Sequence, residues 1–158
     1  MNILAIDPGT THSGWCLIDT ETFKPLEFGK DNNAFVLKKI YEHKPCDVVI
    51  ERLVSYGQRI GNEVLMTCEW VGRFTMYALD CESHVHFIRR IEEKRQICGT
   101  PTANDSMIRN ALIAEFAKHD MKNGKGTKDS PDWFYGFKAD VWQAYAIGVT
   151  WLKGDENG

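Results

Sequence analysis

The feature that most constrains the fold is the start of the chain, where two apolar runs flank a short turn: NILAID, PGTTHS and GWCLID. The runs, residues 2–7 and 14–19, have the length and composition of buried strands, and the turn is rich in Gly, Pro, Thr and Ser. Together they predict an antiparallel hairpin. The first strand ends in Asp7, so its turn can either close around nucleotide phosphates or carry the first carboxylate of a metal site.

Further along the chain, strand and helix patterns alternate. A third strand is predicted at residues 25–29, and the nearly continuous apolar run in CDVVIERL, residues 46–53, predicts a central strand covered on both faces. HVHFIRR, residues 84–90, predicts a fifth strand. Apolar residues at helical spacing predict helices over 34–44, 63–81, 103–119 and 137–152. The Lys- and Gly-rich segment 121–136 has no periodicity and is expected to be a loop.

This order of elements predicts an α/β fold of three layers. The five-stranded sheet is mixed, being antiparallel at the start and parallel where helices intervene, with helices on both faces. A chain of 158 residues has a length suited to one domain, and we expect residues 1–158 to form it.

Composition and charge exclude several classes of protein. No apolar stretch reaches the roughly 18 residues of a membrane span, and the N-terminus lacks the build of a signal peptide, so a cytoplasmic location is expected. Five cysteines without a Cys-x-x-Cys pair argue against zinc or redox chemistry, and buried, reduced thiols are expected. The net charge of -3 argues against coating nucleic acid by bulk electrostatics, so any DNA surface must be a local basic patch.

Three carboxylates are predicted to meet at one edge of the sheet. Asp7 ends the first strand and Glu51 ends the fourth, and these strands are expected to be parallel neighbours. Asp140 lies in the first turn of the last helix, with Gln143 one turn later on the same face. Converging carboxylates repel one another unless a cation lies among them, and their hard oxygens suit magnesium or manganese. Singly, each acid also has a structural interpretation, as a turn residue, a solvated strand end or a helix N-terminal acid.

The sequence resembles the RuvC family of Holliday-junction resolvases, within the RNase H-like superfamily, and most closely its bacteriophage-type relatives. ILAIDPGTTHSGWCLID resembles the first strand, turn and second strand of the family, and DVVIERL its second acidic strand. RRIEEKRQICGTPTANDSMIRNAL is similar to the basic strand-loop-helix segment, and GTKDSPDWFYGFKADVWQAYAIGVTWL to the closing loop and acidic helix. The similarity therefore covers nearly the whole chain and implies an RNase H-like fold.

The resemblance also implies a catalytic set, Asp7, Glu51, Asp140 and Gln143, of which the three acids would be metal ligands. There is one departure, because the family usually has a fourth acid where this chain has Gln143. An amide oxygen can still bind magnesium, but it brings no charge. The departure leaves open a weaker metal affinity, a ligand role for a nearby acid such as Asp132, or lost activity.

The function implied by the resemblance is that of a homodimeric crossover junction endodeoxyribonuclease of DNA recombination and repair. Such an enzyme nicks four-way and other branched DNA symmetrically by hydrolysis that depends on Mg²⁺ or Mn²⁺, with two ions per active site, and leaves 5′-phosphate and 3′-hydroxyl ends. The helix predicted over 63–81 is apolar on more than one side and is expected to pack against its symmetry mate. Five residues are expected to contact DNA, one by stacking and four by charge: Tyr56, Arg90, Lys94, Arg95 and Lys128.

Two other functions stay open. AIDPGTTHSG also resembles the first phosphate motif of the actin, hexokinase and heat-shock ATPase superfamily. In those proteins the nucleotide lies between two such domains, which needs a chain about twice as long, and the family does not account for Glu51 and Asp140 together. The other alternative is a junction-binding protein that keeps the fold and has lost catalysis, and Gln143 is the feature that motivates it.

Overall fold

A five-stranded mixed sheet lies at the centre of the fold. The computed structural model describes residues 1–156. The strands are β1 (Asn2–Asp7), β2 (His12–Asp19), β3 (Pro25–Asn32), β4 (Asp47–Arg52) and β5 (His84–Arg89). Their order across the sheet is β3-β2-β1-β4-β5. β1 is antiparallel to β2 and parallel to β4, which confirms both the predicted hairpin and the predicted parallel pair.

Five helices are present in the described residues: α1 (Asn33–His43), α2 (Asn62–Asp80), α3 (Arg90–Cys98), α4 (Asp105–Phe116) and α5 (Ala139–Glu156). Four of them follow the predicted helices closely. The exception is α3, for which no helix was predicted, because RIEEKRQIC has too few apolar residues to show a periodicity. Its first turn is held by Glu92, which accepts a hydrogen bond from the backbone N–H of Arg89 at 2.7 Å. Between residues 1 and 156, no helix is long and apolar enough to cross a membrane.

Different helices cover the two faces of the sheet, because successive residues of a strand point to opposite sides. Ile3 and Ala5 pack in a core with residues of α4 and α5. Leu4 and Ile6 pack in a second core with residues of α1 and α2. All four side chains are fully buried. The predicted three-layer α/β architecture is confirmed.

α5 packs closely against the sheet. A Cβ atom at Gly148 would collide with the end of the Ile18 side chain and lie 3.1 Å from the Cβ atom of Ala5, so glycine lets the helix pack tightly on the strands. On the same helix, the buried Tyr145 hydroxyl donates to the carbonyl oxygen of Phe23 at 2.8 Å and accepts from the Trp133 indole N–H at 3.1 Å. These contacts fix α5 in place, and with it the acid near its first turn.

The cysteines differ from the expectation that all five are buried. Cys16 is buried in the sheet, whereas Cys46 and Cys68 are exposed, and Cys81 and Cys98 are half-buried. All are free thiols. The expectation is wrong because apolar sequence neighbours do not determine which way a side chain points: Cys46 precedes β4, and Cys68 lies on an outward face of α2.

Candidate active site

The structure brings the three predicted acids to one cavity. Ile6 of β1 pairs with Ile50 of β4, so Asp7 and Glu51 follow at the same edge of the sheet. Their side chains are hydrogen-bonded to each other. Both line a cavity of about 300 Å³ to which α5 contributes Asp140 and α3 contributes Arg90. We call it the acid cavity, and its polar lining is completed by Asp105, Arg109 and Gln143.

Glycine at position 14 allows α5 to reach this edge. In the sheet, Gly14 of β2 is the partner of Asp7. A Cβ atom at this position would collide with the backbone carbonyl of Asp140. The missing side chain therefore sets the distance between the first strand and the first turn of α5.

Polar contacts hold the turn that follows Asp7. The Ser13 hydroxyl accepts from the Gly9 N–H at 3.1 Å and donates to Oδ1 of Asn33 at 2.6 Å. The Asn33 side-chain amide donates to the carbonyl oxygen of Gly9 at 3.0 Å. Ser13 and Asn33 are buried, so these hydrogen bonds hold the turn against the core. They thereby define the direction in which the chain leaves Asp7.

Burial and neighbouring negative charges both act on Asp7. Burial, the hydrogen bond to Glu51 and the negative charges of Glu51 and Asp140 raise the pKa of Asp7 well above its ordinary value. The positive charge of Arg90 acts in the opposite direction and only partly offsets them. The charged form of Asp7 is therefore disfavoured in the metal-free protein.

Asp140 has a cationic partner that the sequence does not reveal. Lys30 of β3 places its Nζ atom 2.7 Å from Oδ2 of Asp140, and this hydrogen-bonded ion pair raises the pKa of the lysine. Lys30 and Asp140 also line a second cavity of about 280 Å³, together with Asp7 and the turn after β1. Lys30 was missed because its reach depends on the pairing of β3 with β2, which residue spacing does not supply.

Gln143 has a buried acidic partner. Its Nε2 atom donates to Oε2 of Glu93 at 2.6 Å. Glu93 belongs to α3 and is 0% exposed, and burial together with the charge of Glu51 raises its pKa to about 7 despite the opposing charge of Arg90. Sequence reasoning missed Glu93, because an acid within the charged run RRIEEKR is expected to be solvated.

Arg90 lies in the wall of the acid cavity. Its guanidinium pairs with Asp105, and its Nη1 atom lies 3.4 Å from Oε1 of Glu93. Arg90 therefore connects the start of α3 with the start of α4.

The other residues expected to contact DNA are spread over the surface. Tyr56 is 72% exposed in the link between β4 and α2, and Lys128 is exposed in the loop before α5. Lys94 is half-buried, whereas Arg95 is exposed and lines a separate hollow beside Trp151. Arg90 and Arg95 line different cavities, because α3 turns Arg95 away from Arg90.

Asp132 has a structural role in the loop before α5. Its carboxylate accepts hydrogen bonds from the backbone N–H groups of Lys118, His119, Asp120 and Trp133. Burial acts to raise the pKa of Asp132, but these hydrogen bonds hold it well below its usual range. Its oxygens are committed to the loop, so a substitute ligand role for Asp132 does not fit the structure.

Among residues 1–156, no three His, Cys, Asp or Glu side chains are arranged as a ready-made metal site. The acids that line the acid cavity already have partners, since Asp140 pairs with Lys30 and Asp7 is hydrogen-bonded to Glu51. The expectation that Asp7, Glu51 and Asp140 bind metal therefore stays a prediction.

We predict that the metal-free protein loses stability as the pH rises. In the folded state Asp7 and Glu93 have raised pKa values, so they retain protons that unfolded carboxyl groups release near pH 4. The free energy of unfolding should therefore fall as pH increases from about 4.5 to 7. Thermal melts in a chelating buffer should show this fall, and it should be smaller in Asp7→Asn. Equal slopes for both proteins would contradict the prediction.

Comparison with known proteins found similar structures but no similar sequence. No protein-family model matches the chain, and no curated protein matches it in sequence. Thermus thermophilus RuvC has a TM-score of 0.73 at 18% identity, covering 99% of this chain and 97% of that one. The same protein in complex with a Holliday-junction substrate has a TM-score of 0.71 at 16% identity, covering 99% and 96%. Fowlpox virus resolvase in complex with Holliday-junction DNA has a TM-score of 0.58 at 10% identity, covering 98% of each chain. The likeness shows that the chain has the RuvC-like, RNase H-like fold.

Proposed function

We propose that the protein is a metal-dependent endodeoxyribonuclease that resolves four-way and other branched DNA junctions. The observation that carries the proposal is the acid cavity, where β1, β4 and α5 bring Asp7, Glu51 and Asp140 together. Structures of the same fold include two resolvases in complex with Holliday-junction DNA. The reaction would hydrolyse phosphodiester bonds and leave 5′-phosphate and 3′-hydroxyl ends. It would act on DNA in the cytoplasm of a bacterial cell or of a phage-infected host.

The donor set of the acid cavity fits a hard divalent cation. Asp7 and Glu51 lie close enough to share a hydrogen bond, and once both are ionised they would repel each other unless a cation lay between them. Asp140 already pairs with a cation, the ammonium group of Lys30. Carboxylate oxygens beside an open cavity are the ligands that Mg²⁺ and Mn²⁺ prefer. Each site would hold two metal ions, bound by Asp7, Glu51 and Asp140. When bound, such ions supply activation of water and charge stabilisation at the leaving oxygen.

The chain's own groups would position the DNA strand. Arg90 lies in the wall of the acid cavity, and Lys30 lines the adjoining cavity. Both are cations beside the acids, so they would bind the non-bridging oxygens of the phosphate to be cleaved or of its neighbour. The turn held by Ser13 and Asn33 would keep its backbone close to that phosphate.

Contacts farther from the cleavage site would supply selectivity for branched DNA. Tyr56 is exposed enough to stack on an unpaired base, a contact worth about 1 to 3 kcal/mol per base. Lys94 and Lys128 would contact phosphates of the arms. Arg95 would do so for an arm that runs past Trp151, since both residues line the same hollow.

Two alternative functions, an ATPase and a junction-binding protein without catalysis, can be distinguished from this proposal. The ATPase interpretation is not favoured, because the chain matches resolvases over nearly its full length. A junction-binding protein without catalysis is kept as a second candidate because Gln143 places an amide in the acid cavity.

The testing experiment compares a labelled four-way junction with linear duplexes of the same arm sequences, in Mg²⁺ and in Mn²⁺. We expect paired nicks at symmetric positions in the junction, sealable by DNA ligase, and no cleavage of the duplex. Binding without cleavage in either metal would favour the second candidate. Equal cleavage of duplex and junction would overturn selectivity for branched DNA.

Symmetric nicking requires two active sites, and we propose that α2 forms the dimer interface. Six large apolar side chains of this helix are between 39% and 59% exposed: Val64, Leu65, Met66, Met76, Tyr77 and Leu79. An apolar surface of this kind on one helix is typical of an interface.

We predict that the protein sediments at about twice 18.1 kDa. The double variant Leu65→Glu, Met76→Glu should sediment at the monomer mass, because a dimer would bury four carboxylates in the interface. Tyr41→Glu, on the exposed side of α1, is the matched control and should stay dimeric. Dimers of equal strength in all three proteins would place the interface elsewhere.

A further inference from the structure

Glu93 is a buried carboxylate next to the acid cavity that the proposed function leaves without a role. It is fully buried on α3 and lies behind Gln143, without lining the cavity itself. Both of its oxygens are engaged, Oε2 by the Gln143 amide at 2.6 Å and Oε1 by Arg90 at 3.4 Å. A buried acid is costly, so its retention here calls for a specific contribution.

The contact with Gln143 has a definite direction. The ionised carboxylate of Glu93 only accepts hydrogen bonds, and in the structure it accepts from the NH₂ group of the amide. Gln143 lines the acid cavity, and with its nitrogen directed to Glu93 the oxygen is the polar group left for the cavity. Without an acceptor at position 93, the side chain could equally present its NH₂ group, which repels cations.

We infer that Glu93 is a positioning residue, which turns the amide oxygen of Gln143 toward the acid cavity so that it completes the oxygen ligands of the divalent cation. The inference rests on the proposed function and deepens it. The negative charge stays on α3, behind the ligand, and the neutral oxygen faces the metal from α5. The pair of residues, rather than either one alone, takes the place of a carboxylate at position 143.

Binding of Mn²⁺ to the DNA-free protein, measured by calorimetry, tests the inference without relying on cleavage. Glu93→Leu should weaken the affinity by 10- to 100-fold, the usual effect of losing a residue that orients a metal ligand. The exchange variant Glu93→Gln, Gln143→Glu should bind at least as tightly as the wild type. In that variant the carboxylate faces the cavity from α5, and the amide introduced on α3 donates to it. Glu21→Leu, at an exposed turn, is the control and should leave the affinity unchanged.

A second readout follows the hydrogen bond itself. The side-chain NH₂ protons of Gln143 should exchange slowly in the nuclear magnetic resonance spectrum of the metal-free protein, and rapidly in Glu93→Leu.

The outcomes separate positioning from other roles. A Glu93→Leu affinity within threefold of the wild type would overturn the inference. So would an exchange variant that binds tenfold more weakly than the wild type, because the charge would then be needed on α3. If Glu93→Leu does not fold, the exchange variant alone decides, since its two side chains keep their volumes.

Failure of the inference and failure of the proposed function remain distinguishable. If the wild type cleaves junctions and Glu93→Leu binds Mn²⁺ normally, the inference fails and the nuclease stands. If the wild type cleaves no DNA while Glu93→Leu loses Mn²⁺ affinity and the exchange variant regains it, the nuclease fails and the positioning role stands.

Discussion

Replacing Asp7 by Asn is expected to abolish junction cleavage while leaving the junction bound. Asp7 is the acid on which burial and both other carboxylates act, so it is the position that a cation stabilises most. An amide keeps the shape and the hydrogen bond to Glu51 but removes the charge. We expect a loss of at least about a thousandfold in the rate of cleavage, equivalent to about 4 kcal/mol of transition-state stabilisation.

The affinity of Asp7→Asn for a four-way junction, measured without metal, should equal that of the wild type or exceed it, since a negative charge near phosphates is lost. Glu21→Gln provides the matched control, because it also replaces an acid by its amide but at an exposed turn. It should cleave normally. A variant of Asp7 that still cut at a tenth of the wild-type rate would rule out the proposed metal site.

Adding a single methyl group at position 14 is expected to damage both stability and activity. In Gly14→Ala the new Cβ would collide with the backbone carbonyl of Asp140, and backbone cannot rotate away as a flexible side chain can. Overpacking of this kind costs about 1 to 3 kcal/mol, which lowers the melting temperature of a chain this size by about 3 to 10 °C. The first turn of α5 should also shift, so Mn²⁺ affinity and cleavage should both fall by more than about tenfold.

The control for this variant is Gly154→Ala on the same helix. A Cβ atom there meets nothing within 4 Å, and alanine favours helix over glycine, so stability should be equal or slightly higher. Gly14→Ala with wild-type melting temperature and activity would mean that the approach of α5 to β2 does not set the site.

Much of this arrangement could be predicted from the sequence because the acids follow strong structural signals. Asp7 and Glu51 each follow an apolar run that is typical of a buried strand, and Asp140 opens a helix of clear periodicity. Parallel strands place their carboxyl ends at one edge, so the shared location of Asp7 and Glu51 could be predicted from chain order.

The rest depends on contacts that no local pattern encodes. Glu93 lies in a run of charges and is buried only because α3, itself without periodicity, packs beside α5. Lys30 reaches Asp140 through the register of an edge strand, and Asp132 is engaged by four backbone groups of a folded loop. These residues have ordinary sequence neighbours, and their roles arise from tertiary packing.

The close packing of α5 has a consequence for how this protein could be improved by mutation. The helix that carries Asp140 and Gln143 also fills one core of the fold, and Gly148 touches the sheet two turns further along. Substitutions that enlarge this core would push the helix outward and carry its acid away from Asp7. Substitutions along α5 that raise thermostability would therefore tend to lower the catalytic rate. Substitutions in the opposite core, under α1 and α2, could raise thermostability without lowering the rate.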